Sequence, residues 1–133
     1  MSNQAILCVD DERLVLLSLR DQITKHFGTL YRYEFAESVD EAWDVIEELS
    51  LDGIDILIIV SDWLMPGMRG DHFLAQVHQK FPKIVTVLLS GQADEAAVAN
   101  ACQTANLHAY VPKPWEEHTL IDVIRTGLEQ TDA

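Results

Sequence analysis

Apolar positions along the chain follow two alternating periods. Five short runs are dominated by apolar residues: Ala5 to Val9, Tyr33 to Ala36, Ile54 to Ser61, Val85 to Ser90 and Ala109 to Val111. The first, third and fourth place Val, Ile and Leu on nearly consecutive positions, the pattern of strands covered on both faces of a parallel sheet. The second is short and mixed, which suits a sheet edge. Between the runs, apolar residues recur at helical spacing. Leu16, Leu19, Ile23 and Phe27 step by three and four, and Gly28 supplies a stop signal. Ser38 and Glu41 stand at capping-box spacing ahead of the stripe Val39, Ala42, Trp43, Ile46 and Leu49. Leu74, Val77 and Phe81 form a third stripe, ended by Pro82; Ala97, Val98, Ala101 and Ala105 form a weak fourth; Leu120, Ile121, Ile124 and Leu128 form a fifth.

Five βα units without a linker, repeat or low-complexity break predict one α/β domain, a (βα)5 doubly wound fold around a five-stranded parallel sheet, over residues 4–130. No second domain is expected in this chain. In such sheets ligands bind beyond the carboxyl ends of the strands, where the strand order reverses. The residues that directly follow each apolar run are therefore the ones to read for chemistry.

Composition agrees with a single globular domain: 133 residues, 48% apolar and 23% charged. The longest unbroken apolar runs, such as Ile56 to Val60, fall far short of the roughly 20 residues of a membrane span. Met1 to Gln4 carry no basic segment, so neither a secretory leader nor a membrane anchor is expected, and a cytoplasmic location is. Cys8 and Cys102 belong to no CxxC pair and read as small buried hydrophobes. The charge is unusual, with 22 acids against 9 bases and a net −13. Nine of those acids lie in residues 34–55, which hold no Lys or Arg, so the acidity is mostly a local sheath over the second helix. Such a surface repels phosphate backbones and anionic lipid, and direct binding of nucleic acid or membrane is not expected of this domain.

At the strand ends the chemistry converges. Asp10-Asp11-Glu12 follows the first run and Ser61-Asp62-Trp63-Leu64 closes the third; the fourth ends in Ser90-Gly91 and the fifth leads into Pro112-Lys113-Pro114. Asp10, Asp11 and Asp62 brought together repel one another unless a cation intervenes. Oxygen-only ligands favour a hard divalent ion, Mg2+ first. A carboxylate in such a site can attack phosphorus, and a lysine and a hydroxyl supply the neutralisation and positioning that phosphoryl transfer needs.

These segments, with Met65-Pro66-Gly67-Met68 and Gly70, Leu89-Ser90-Gly91 and Tyr110-Val111 in their expected order, resemble the receiver domain of two-component response regulators across essentially residues 4–130. The resemblance implies the flavodoxin-like strand order 2-1-3-4-5. It implies Asp62 as phosphoacceptor from a histidine kinase or phosphotransfer protein, and Mg2+ held by Asp10, Asp11, Asp62 and the backbone carbonyl of Leu64. Lys113 is implied as the cation on the phosphoryl oxygens, Ser90 as the switch hydroxyl, Tyr110 as the aromatic partner of the switch, and Lys113-Pro114 as a cis bond. It implies a signalling domain rather than a turnover enzyme. The signal would be read on the face of the fourth helix, fifth strand and fifth helix by an output domain, a partner protein or a second copy in a phosphorylation-dependent homodimer.

Three other readings fit less well. A phosphatase working through an aspartyl phosphate wants a second Asp where Leu64 stands. A flavin carrier wants a phosphate-cradling loop where Asp10-Asp11-Glu12 stands. A pseudo-receiver, a binding module without phosphorylation, usually lacks an acid or the lysine, and none is missing. Trp63 reads as a half-exposed loop aromatic, Trp43 as core, Trp115 as packing, and the five histidines as bystanders.

Overall fold

The strand runs become strands at almost the predicted bounds, and the first and fourth runs are buried along nearly their whole length. A computed structural model describes residues 3–65, 67–91, 96, 99, 103 and 106–131, with the side chains of 64 and 131 left aside. Its elements are β1 (Gln4–Val9), α1 (Arg13–Phe27), β2 (Arg32–Ala36), α2 (Val39–Leu51), β3 (Asp55–Asp62), β4 (Leu64–Met65), β5 (Met68–Arg69), α3 (Gly70–Lys80), β6 (Val85–Ser90), β7 (Ala109–Pro112) and a C-terminal helix (Glu117–Thr131). The fourth apolar stripe (Ala97, Val98, Ala101, Ala105), Cys102 and Pro66 lie outside the described residues.

Five strands pair in the order β2-β1-β3-β6-β7, all parallel. Counted within this sheet alone, the order is 2-1-3-4-5, the flavodoxin-like order expected. β2, the mixed run, is indeed an edge strand. β4 and β5 form a separate antiparallel hairpin in the connection after β3.

Alternate strand residues feed two apolar layers. Ile6, Cys8, Ile58, Val60 and Val87 face α1 and the C-terminal helix through Leu19, Ile23, Leu120 and Ile124. Leu7, Val9, Ile59 and Leu88 face α2 and α3 through Ala42, Ile46, Phe73 and Leu74. Burying a leucine or isoleucine side chain fully contributes about 1.5–3 kcal/mol. Truncating Leu19 or Leu88 to alanine would therefore cost about 2–5 kcal/mol once the cavity is included.

The helix ends follow local chemistry. α1 stops where Gly28 takes φ +59, a positive φ that glycine adopts without penalty. α2 starts at Ser38, whose side chain accepts from the Glu41 backbone N–H at 3.1 Å. Glu41 in turn accepts from the Glu37 N–H at 3.2 Å, one residue earlier than the reciprocal capping-box bond.

Candidate functional site

β1 and β3 are neighbours, yet the chain runs outward from β1 to β2 before crossing back to β3. The reversal point lies between them, and their carboxyl ends carry Asp10 and Asp62. Asp10 is fully buried. Its N–H donates to the Ala36 carbonyl at 3.1 Å, and its Oδ1 accepts from the Glu12 N–H at 2.8 Å. Asp62 is the last residue of β3 and is only 6% exposed. Asp11 is exposed at the rim. One carboxylate oxygen from each of Asp10, Asp11 and Asp62 lies within 4.8 Å of the others.

Lys113 enters from the far side of the sheet. Its backbone N–H donates to the Ser90 carbonyl at 2.9 Å, tying the end of β7 to the end of β6. The Lys113-Pro114 bond is cis, as expected. Its Nζ donates to Asp10 Oδ2 at 3.0 Å and to Asp62 Oδ1 at 2.9 Å. Asp62 Oδ1 also accepts from the Trp63 N–H at 3.0 Å. Both donors thus converge on Oδ1, and Oδ2 receives none of the described ones. Because no buried side-chain polar atom among the described residues lacks a partner, Oδ2 is not fully buried, and Asp62 lines a cleft. That cleft is lined by Asp11, Glu12, Asp62, Trp63, Ser90, Gly91 and Lys113. A wider groove lies at the opposite end of the sheet, by Ile54, Ile84 and His108, and holds none of these residues.

The electrostatics follow from three carboxylates sharing one ammonium. Burial, reinforced by the charges of Asp10 and Asp11, pushes the Asp62 carboxyl above its ordinary range, and Lys113 opposes this only in part. Burial pulls Lys113 down, but its bonds to Asp62 and Asp10 outweigh that, and its ammonium is held above the ordinary lysine value. The cluster keeps an excess of negative charge and offers only oxygen donors. Those properties fit a hard divalent cation, which the carboxylates of Asp10, Asp11 and Asp62 can hold.

Ser90 is buried at the end of β6, and its carbonyl also accepts from the Tyr110 hydroxyl at 3.3 Å. The predicted switch pair is therefore in contact. Leu64 lies in the hairpin that follows Asp62, paired across it with Arg69.

One expectation is corrected. Trp63 is not a half-exposed loop aromatic; it is 8% exposed and packs in the α2/α3 layer. The hairpin folds it inward, with the Arg69 guanidinium 4.6 Å from its ring centroid. Arg69 grips Asp71 with two bonds, Nε to Oδ1 at 3.0 Å and Nη2 to Oδ2 at 2.7 Å. Asp71 is 2% exposed; burial pushes its carboxyl up, but the guanidinium outweighs this and holds it below the usual range. Gly70, between them, donates its N–H to the Trp63 carbonyl at 2.7 Å. A side chain there has no room, since a Cβ would overlap the Asp62 carbonyl oxygen. Sequence reading picked out Gly70 as part of the motif after Asp62 but missed Arg69 and Asp71, whose lone signal was opposite charges flanking that glycine.

Trp115 packs as expected, whereas Trp43, expected in the core, is only partly buried against it. Trp43 packs edge-to-face on Phe73 at 5.5 Å and carries Lys80 at 5.0 Å over its ring, while the Trp115 indole N–H donates to Gln22 Oε1 at 2.8 Å. His26 pairs with Glu117, His118 with Glu116, and His108 with Val123, Thr126 and Gln130, all apart from the cluster. Among the described residues no helix is long and apolar enough to cross a membrane.

A family model described as the response regulator receiver domain matches residues 6–125. The chain is 31% identical over 124 residues to the hydrogenase transcriptional regulatory protein HoxA of Cupriavidus necator, covering 93% of this chain but 24% of that one. It therefore spans about a quarter of the length of that regulator. A chemotaxis protein CheY homolog of Campylobacter jejuni is 26% identical over 130 residues, with 92% of this chain and 93% of the other covered. Among solved structures, the signal receiver domain of an HD domain-containing protein from Pseudomonas fluorescens Pf-5 superposes with a TM-score of 0.85 at 26% identity, covering 97% of each chain.

Proposed function

Because this chain belongs to the response regulator receiver family, whose members are signalling domains rather than turnover enzymes, we propose that residues 4–130 form a phosphorylation-switched receiver with Asp62 as phosphoacceptor. The observation that carries this reading is the Lys113 ammonium bridging Asp62 and Asp10 inside a three-carboxylate cluster at the sheet's reversal point.

The donor is a phosphohistidine on a sensor kinase or phosphotransfer protein. Asp62 Oδ2, the oxygen that is not fully buried, attacks phosphorus; the P–N bond breaks, and its electron pair returns to the donor imidazole nitrogen, which takes up a proton. The product on this chain is an acyl phosphate. Lys113 is placed to follow the charge as it moves from the carboxylate onto the phosphoryl oxygens. The Trp63 N–H holds the other carboxylate oxygen and fixes the angle of approach. Mg2+, held by Asp10, Asp11, Asp62 and the Leu64 carbonyl, would neutralise charge on the phosphoryl oxygens when bound.

Phosphorylation adds roughly −1.5 to −2 charge and strong acceptor oxygens. Ser90, which lines the same cleft at the end of β6, donates its hydroxyl to the new group in this reading. Its carbonyl is the acceptor of the Tyr110 hydroxyl, so a shift of Ser90 is felt at Tyr110. That coupling supports a two-state readout around Tyr110 and the C-terminal helix, addressed to an output domain or partner protein in the cytoplasm. The much greater length of the hydrogenase regulator supports an output carried by further domains.

The test is incubation of wild type and Asp62→Asn with acetyl phosphate, with and without Mg2+, followed by intact-mass measurement. One phosphoryl adduct is expected on wild type, dependent on Mg2+, and none on the variant. An unmodified wild type that also fails to bind beryllofluoride would instead make the chain a phosphorylation-independent interaction module.

A further inference from the structure

The cluster's carboxylates are anchored by strands, but the Leu64 carbonyl is not. Leu64 sits in the two-residue strand β4, which lies outside the five-stranded sheet and whose strand partner among the described residues is β5. Its cross-strand partner is Arg69, and the turn between them contains Gly67 at φ +87. A two-strand ribbon this short is not stable alone. Met65 of β4 is buried in the α2/α3 layer, and what ties the ribbon to α3 through side chains is Arg69, whose guanidinium lies over the buried Trp63 ring and grips the buried Asp71 in the first turn of α3. The two-pronged guanidinium–carboxylate contact is directional, and a buried Asp71 gives it a fixed anchor. Trp63, Leu64 and Arg69 are thus joined to α3 by one side-chain unit as well as by the Gly70 N–H to Trp63 carbonyl bond.

We propose that Arg69 and Asp71 are positioning residues: through Trp63 and the β4–β5 ribbon they hold the segment that presents the Leu64 carbonyl, and so set the affinity of the acid cluster for a divalent cation. The inference rests on the cation-binding reading given above. Neither side chain touches the ion; both act through backbone.

Electrostatics alone predicts the opposite sign, which makes the inference testable. Arg69 is a cation near an acid cluster, and its charge is largely balanced by Asp71. Replacing it with a neutral residue uncovers the Asp71 charge and, by Coulomb attraction, would tighten binding of a divalent ion. Loss of positioning instead weakens it, by the 10–100-fold typical of residues that orient metal ligands.

The experiment is calorimetric titration of the full chain with MgCl2, comparing wild type, Arg69→Gln, Asp71→Asn and the double variant, with circular dichroism confirming folding at the same temperature. Lys80→Gln serves as control, because Lys80 lies over a different indole, Trp43. Binding to Arg69→Gln is expected about tenfold weaker or more. The double variant is expected to be no weaker than Arg69→Gln, since the pair acts as one unit, and the control is expected to match wild type. If Arg69→Gln does not fold, Arg69→Lys keeps the charge but loses the two-pronged grip, and weakened binding is still expected. Unchanged or tighter binding by the folded Arg69 variant, or equal weakening in the control, overturns the inference. A wild type that binds no Mg2+ overturns the cation reading itself, and this inference with it.

Discussion

Replacing Gly70 with alanine adds one methyl group at the crowded junction between β3 and α3. The ideal Cβ overlaps the Asp62 carbonyl oxygen and stands 2.8 Å from the Asp62 carbonyl carbon and 3.1 Å from Ser61 Oγ. Unstrained carbon–carbon contacts begin near ~3.5 Å, so the two backbones must part by at least about 0.7 Å, and further to clear the oxygen. Two bonds across this junction cannot survive such a movement unaltered: Gly70 N–H to the Trp63 carbonyl at 2.7 Å and Lys113 Nζ to Asp62 Oδ1 at 2.9 Å. A neutral hydrogen bond contributes about 0.5–1.5 kcal/mol net and one to a charged group about 1.5–3 kcal/mol. Alanine at a helical position returns roughly 0.5–1 kcal/mol over glycine. The balance is a destabilisation of about 1–4 kcal/mol, with Asp62 displaced from Lys113. Urea unfolding followed by circular dichroism reads the first quantity as a shift in midpoint at constant slope. The time course of phosphorylation by acetyl phosphate reads the second, and it should slow at least tenfold. A Gly70→Ala protein within 0.5 kcal/mol of wild type that phosphorylates at the wild-type rate would refute the reasoning.

Four further outcomes are expected. Lys113→Met should slow phosphorylation by acetyl phosphate by about 10²–10³-fold, measured by intact mass against time; a rate within threefold of wild type contradicts the role given to Lys113. The same lysine links stability to alkaline pH. Its folded pKa is raised, so its contribution is complete below the ordinary value of about 10.4 and is lost as pH rises through the folded value; denaturant titrations at rising alkaline pH should show wild type losing stability that Lys113→Met does not. Asp62 is also raised, so its contribution is complete below about 3.9 and lost as pH climbs through the folded value. In EDTA at pH 7, Asp62→Asn should therefore be at least as stable as wild type, whereas Mg2+ at ten times its Kd should add about 1.4 kcal/mol to wild type; a variant less stable than wild type in EDTA contradicts this. The Cys8 thiol, buried in β1 with its pKa pushed up to about 12, should resist iodoacetamide in the folded protein and react on unfolding.

Much of this molecule could be read from the order of its residues, for identifiable reasons. Strand runs such as Val85–Ser90 are buried on both faces, so their bounds coincide with the apolar pattern. The clustering of the candidate residues Asp10, Asp62, Ser90 and Lys113 was readable because a parallel sheet brings all its strand ends to one edge, whatever lies between them in the chain. Trp63 was misjudged because its burial depends on a hairpin only two residues deep on each side, too short to produce a periodic signal. Arg69 and Asp71 were invisible for a related reason. An Arg and an Asp two apart ordinarily read as solvated surface, and only the fold shows that Asp71 is buried and that Arg69 lies over an indole. Glu41 shows the same limit at small scale: its spacing from Ser38 was correct, yet its carboxylate accepts from Glu37 instead.

The central claim is that the acyl phosphate forms on Asp62. Borohydride reduces an acyl phosphate to an alcohol, so it converts a phosphorylated aspartate to homoserine at that position alone. The protein should be phosphorylated with acetyl phosphate and Mg2+, reduced with borodeuteride, digested and sequenced by tandem mass spectrometry. Deuterated homoserine at position 62 is the predicted result. Deuterium at Asp10, Asp11 or any other acid, or no incorporation in a sample whose intact mass shows the phosphoryl adduct, would contradict it.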